Sequence, residues 1–130
     1  MNNITWHCNI VLQNDRECAG VMDCLATHVM NHVYHARNGQ AYEDQKRIRI
    51  YVLSQFIKAY VEELTDAGNE YRGYDQMAQE LILGALQEID FREIAENLIG
   101  DYHQKSPAEV AESEEYFEIM GFGNYDIDED

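Results

Sequence analysis

Apolar residues recur at steps of three and four along most of this chain. Starting from Asn14 or Asp15, either able to cap a helix, Cys18, Val21, Met22, Leu25, Val29, Val33 and Ala36 form one stripe, and Asn38-Gly39 is the expected stop. A second helix is predicted from about Tyr42 to Asp66, with Leu53, Phe56, Ile57, Tyr60, Val61 and Leu64 on one face. Ile48 and Val52 fall away from that face, the mark of a helix buried on more than one side. Ala67-Gly68-Asn69 and Gly73 punctuate the approach to a third helix, whose buried face should hold Met77, Ala78, Leu81, Ile82, Ala85, Leu86 and Ile89. Asp90 caps a fourth, with Glu93 at capping-box spacing and Phe91, Ile94, Ala95, Leu98, Ile99 and Tyr102 facing inward. The one proline, Pro107, leaves positions 15 to 105 free for long helices.

The two ends follow different patterns. Trp6, Cys8, Ile10 and Leu12 alternate as a strand would, yet no second strand is available to pair with them. An extended strap, or an early helix, is therefore expected over the bundle, anchored by Trp6. Ser106-Pro107 is a natural helix start, and a short helix bearing Val110, Phe117 and Met120 should follow. Beyond Gly121 a loose tail is expected. The fold class is all-α: an antiparallel bundle of four to five helices with an N-terminal strap. Residues 1–106 make the bundle domain, and 107–130 an acidic helix and tail attached to it.

Composition adds one anomaly. A chain of 130 residues, 45% of them hydrophobic, can bury a core without disulfides or metal. Nine Lys and Arg stand against 25 Asp and Glu, a formal charge of −16, which excludes a nonspecific nucleic-acid binder. No run approaches the roughly 18 apolar residues of a membrane helix, no secretory signal pattern opens the chain, and the three cysteines form no CxxC pair. A cytosolic location is expected. The acidity is a gradient: residues 1–40 and 41–72 each carry a net −1, residues 73–106 carry −5, and residues 107–130 carry −9. Glu88, Glu93, Glu96, Asp101, Glu109, Glu112, Glu114, Glu115 and Glu118 recur often at helical steps, which place neighbouring carboxylates roughly 5–6 Å apart. Phosphates along one DNA strand lie at a similar spacing, roughly 6–7 Å. A solvated, solubilising face would carry the same composition.

Other candidate chemistry is sparse. Cys24, His28, His32 and His35 fall at steps of four, four and three on the first expected helix, and histidines four apart can share a zinc. No HExxH and no second Cys/His pair accompanies them, and partly buried polar residues at the edge of a stripe have the same pattern. No GxSxG, P-loop, GxGxxG or Cys–His signature points to catalysis or to a cofactor. The segment Glu114–Phe122 mixes apolar anchors with carboxylates, as a groove-docking helix does, or as a last helix folded back on the bundle does.

Thr5-Trp6 followed by Leu12 and Asn14-Asp15, together with the run Ala85–Leu98, resembles a group of small proteins carried by phages and plasmids. The likeness covers the first 15 residues and roughly 80 to 102, and by analogy of class it implies the antirestriction and anti-CRISPR inhibitors that mimic DNA. The expected function is inhibition of a host nucleic-acid-binding defence complex, without enzymatic turnover or cofactor. The nine acids above would be the contact face. The expected partner is a basic host protein, with no direct nucleic-acid or membrane contact, and a homodimer is left open. The alternative is a protein-interaction or regulatory module whose acidity only solubilises it.

Overall fold

The computed structural model describes residues 1–69 and 76–127. Among them the chain is all-helical: α1 Asn3–Asn14, α2 Arg16–Met30, α3 Gln45–Asn69, α4 Gln76–Glu88, α5 Phe91–Gly100 and α6 Pro107–Ile119, then a single 3-10 turn at Phe122–Asn124. That is six α-helices where four or five were expected. The turn expected at Gly73 and the last three tail residues lie outside the described residues. No described helix is long and apolar enough to cross a membrane.

The N-terminal segment takes the helical form rather than the extended one. Asn2 caps it, its side-chain oxygen accepting from the Thr5 N–H at 2.8 Å. Trp6 is not the anchor, being 52% exposed. The anchor is polar: Thr5 is fully buried, and its hydroxyl oxygen accepts from the Asp90 N–H at 2.8 Å. Asn2 donates to the Glu88 carbonyl at 2.9 Å, and the Met1 ammonium lies 3.3 Å from Glu93. Asp15 then serves two helices: its backbone N–H closes α1 on the Val11 carbonyl, and its carboxylate accepts from Cys18 to open α2.

α2 stops at Met30, eight residues short of Asn38. The Asn31 side chain bonds back to the Thr27 carbonyl at 2.8 Å, offering the backbone an alternative to another turn. The chain then reverses so that Tyr34 is buried, while Val33, expected on the apolar stripe, is exposed. Gln45 holds this reversal, accepting from the Tyr34 N–H at 3.0 Å and donating to the carbonyls of Tyr34 and Tyr42 at 2.8 Å each. Gly39, at φ 84°, turns the short bridge between His35 and Ala41.

α2 packs against α1, α3, α5 and α6, and α3 packs against α2, α4 and α5. Val21, Leu25, Val29, Val52, Leu53, Ile57 and Ile94 fill the space between them. On α3 the two-sided burial holds for Ile48 and Val52, but Leu64 is exposed. α5 begins at Asp90, which accepts from the Glu93 N–H at 3.1 Å, and it buries Phe91, Ile94 and Ala95 as expected. α4 departs furthest from expectation: Met77 and Leu81, assigned to its buried face, are 70% and 68% exposed.

The tail is folded from Gly121 to Ile127. Gly121 takes φ 76°, a left-handed turn costly for any residue with a Cβ, and sends Phe122 back into the core at 1% exposure. Phe122 meets the rings of Tyr60, Phe117 and Tyr125 at centroid distances of 6.4, 5.7 and 5.6 Å. The segment Glu114–Phe122 is thus a helix folded back, with Phe117 and Phe122 both buried.

Candidate acidic interface

α6 is built to stay put. Ser106 and Glu109 close a reciprocal capping box, the Glu109 N–H donating to the Ser106 hydroxyl at 3.2 Å and the Ser106 N–H to the Glu109 carboxylate at 3.1 Å. Those bonds to the charged form hold the Glu109 carboxyl below its ordinary range. Phe117 stacks on the His28 ring with centroids 3.8 Å apart, and crosses Phe56 edge-on at 5.7 Å. His28 Nδ1 donates to the Glu114 carboxylate, 2.9 and 3.0 Å from its two oxygens, and the Cys24 thiol donates to the Ser113 carbonyl at 3.3 Å.

Glu114 and Glu109 are thereby absorbed into the fold. Glu93 pairs with the N-terminus, and Glu96 with Arg92 at 3.6 Å. The other five expected contact residues, Glu88, Asp101, Glu112, Glu115 and Glu118, are exposed and make no ion pair among the described residues. They occupy different places: Glu88 ends α4, Asp101 caps the end of α5, and Glu112, Glu115 and Glu118 share the solvent side of α6 with the exposed Ile119. α6 packs against α2 and α5 against α3 and α2, so the nine acids do not form one continuous row.

The structure instead brings Glu109 and Glu112 of α6 opposite Glu17 and Asp23 of α2, across a groove of about 710 Å³ that also holds Arg16 and Lys105. Lys105 is committed to an ion pair with Asp23. Glu17 and Asp23 escape a reading of charge by segment, because residues 1–40 are nearly neutral overall. The available signal was the α2 spacing of Glu17, Gly20 and Asp23-Cys24, a second face at helical steps. Cys24 is 3% exposed because α6 covers that side, its thiol meeting the Ser113 carbonyl. Burial pushes its thiol up from the ordinary value.

The histidine row is broken by the early end of α2. Cys24 and His28 remain helical, but His32 and His35 lie in the reversal that follows, both exposed. His28 and His32 rings stack at 6.1 Å, and His28 Nδ1 is engaged by Glu114. Among the described residues no group of three His, Cys, Asp or Glu side chains is placed to hold a metal ion. No protein-family model, curated protein or solved structure matches the chain.

Proposed function

We propose that this chain is a phage- or plasmid-borne inhibitor of a nucleic-acid-handling defence complex of the CRISPR or restriction type. It acts in the host cytosol by lodging in a basic channel meant for nucleic acid. The helices serve as an antiparallel bundle that mounts the acidic surface, and inhibition is by occupancy without turnover. The observation that carries this reading is the solvent side of α6, where Glu112, Glu115 and Glu118 are exposed and uncommitted. Successive members of that set lie three residues apart on the helix, hence roughly 5–6 Å between side-chain origins, close to the phosphate interval it would imitate. Opposite charge steers the encounter, so association is fast at low salt and slows steeply as salt rises.

The test is competition. Purified CRISPR effectors and restriction nucleases are incubated with labelled duplex DNA and increasing amounts of the protein at 50 and 300 mM NaCl. Displacement of the DNA from at least one of them is expected, and the protein's own binding to that complex, measured directly without DNA, should weaken at least tenfold at the higher salt. The variant Glu112→Lys/Glu115→Lys/Glu118→Lys should lose displacement while keeping its helical circular dichroism. Equal displacement by that variant, or indifference to salt, overturns charge mimicry.

One observation favours the second reading, an interaction module with a solubilising coat. Met77 and Leu81, four residues apart on one face of α4, are both exposed, an apolar pair open to a partner. A partner held there would bind nearly independently of ionic strength, which the same titration detects.

A further inference from the structure

We propose that the groove between α2 and α6 seats a single arginine side chain presented by the basic partner, a specific contact that rests on the inhibitor reading above. The groove of about 710 Å³ has room for one long side chain and its flanking backbone. Its shape comes from Gly20, exposed on α2, where an added Cβ would meet nothing within 4 Å. The same groove is lined by the buried Cys24, its thiol already spent on the Ser113 carbonyl, and by the half-buried ring of Tyr116. Tyr116 is held from beneath by Phe122, ring centroids 6.4 Å apart.

The sign of the groove is fixed by its rim. Four carboxylates face two cations, and Lys105 is neutralised by Asp23. Glu109 is occupied by the α6 cap, which leaves Glu17 and Glu112 to receive a ligand from opposite walls. Tyr116 and Cys24 are both harder to deprotonate than usual, chiefly through burial, so neither contributes a charge of its own to the groove. A guanidinium suits such a place better than an ammonium. It is planar, weakly hydrated, stacks on an aromatic face, and can donate to two carboxylates at once. Arg16 on the rim opposes a second cation, so the seat takes one arginine rather than a polycationic run.

The test uses the whole chain, isotopically labelled, titrated with a capped Gly-Gly-Arg-Gly-Gly peptide and its lysine counterpart while backbone amide shifts are followed. Shifts concentrated at Gly20, Cys24, Ser113 and Tyr116, saturating at least threefold more tightly for arginine, are expected. Gly20→Leu fills the groove without altering the net charge and should weaken arginine binding at least tenfold. Glu17→Gln, at an exposed position, should weaken it severalfold and serves if the leucine variant unfolds. Equal binding of the lysine peptide, shifts spread over every acidic segment, or undiminished binding by the folded variants overturns the groove. Charge mimicry fails separately: Glu115→Lys/Glu118→Lys, outside the groove, would then displace DNA as well as wild type while arginine binding persists.

Discussion

Asp15 shows how much a single side chain decides here. It has extended backbone angles, φ −72° and ψ 127°, so the helix axis breaks at it, yet its N–H finishes α1 and its carboxylate starts α2. Bonds from the Cys18 N–H stabilise the ionised form, and its carboxyl is held below the ordinary value of 3.8. Glu109 is held below 4.5 in the same way at the start of α6. Because both folded values are depressed, the stability they contribute is fully present above the unfolded values and is lost as pH falls through the folded ones. Asparagine caps as well as aspartate and glutamine can replace glutamate in a capping box, but neither titrates. Asp15→Asn/Glu109→Gln should therefore match wild type in thermal midpoint at pH 7 and lose less stability between pH 4 and pH 2. A parallel decline of both proteins in that window would mean the caps contribute nothing to acid sensitivity. Such caps were legible beforehand: Asp15, Asp90 and Ser106 each stand before an apolar stripe in the expected place.

At the scale of elements, pattern succeeded where an apolar stripe met an apolar neighbour and failed where a polar atom carried the contact. α3 and α5 were legible because Leu53, Phe56, Ile57, Ile94 and Ala95 are buried by one another's helices. α1 was ambiguous because its inward face, Thr5, Cys8 and Leu12 at helical steps, begins with a hydroxyl residue that no hydropathy pattern counts. The end of α2 was misplaced because Asn31 and Gln45 satisfy the backbone of the reversal with side-chain bonds. α4 was misjudged because periodicity reports that an apolar face exists, not that the fold covers it. The weight placed on Thr5 is measurable. Thr5→Val keeps the shape but leaves the partly buried Asp90 N–H without its acceptor, a cost of about 1 kcal/mol. Every opening that breaks the Thr5–Asp90 bond becomes easier by that amount, so amides in α1 and at Asp90 should exchange with solvent roughly fivefold or more faster. Exchange of the α1 amides at the wild-type rate would show that the bond contributes nothing.

At the scale of the whole molecule, a charge of −16 on 130 residues has to be tolerated before it can be used. The bases are not distributed to neutralise it. Arg37, Lys46, Arg47 and Arg49 fall between positions 37 and 49, whereas residues 107–130 have none. Four ion pairs and the His28–Glu114 contact form among the described residues, which leaves most carboxylates to be screened by solvent ions. Their mutual repulsion opposes the compact state, and added salt relieves it, because the screening length falls from about 30 Å at 0.01 M to about 10 Å at 0.1 M. Raising NaCl from 10 to 300 mM should thus raise the thermal midpoint, by roughly 3–8 °C if the relief is about 1–2 kcal/mol. Chloride is the informative salt because sulfate would also strengthen apolar burial. The same increment should shrink in Glu112→Lys/Glu115→Lys/Glu118→Lys, whose net charge is closer to zero. A midpoint indifferent to chloride would show that the acids are spaced widely enough to ignore one another, too sparse to imitate a phosphate backbone. A midpoint that rises while direct binding to the basic complex weakens over the same range ties the two together: one negative field would then both oppose the free protein's stability and attract its partner.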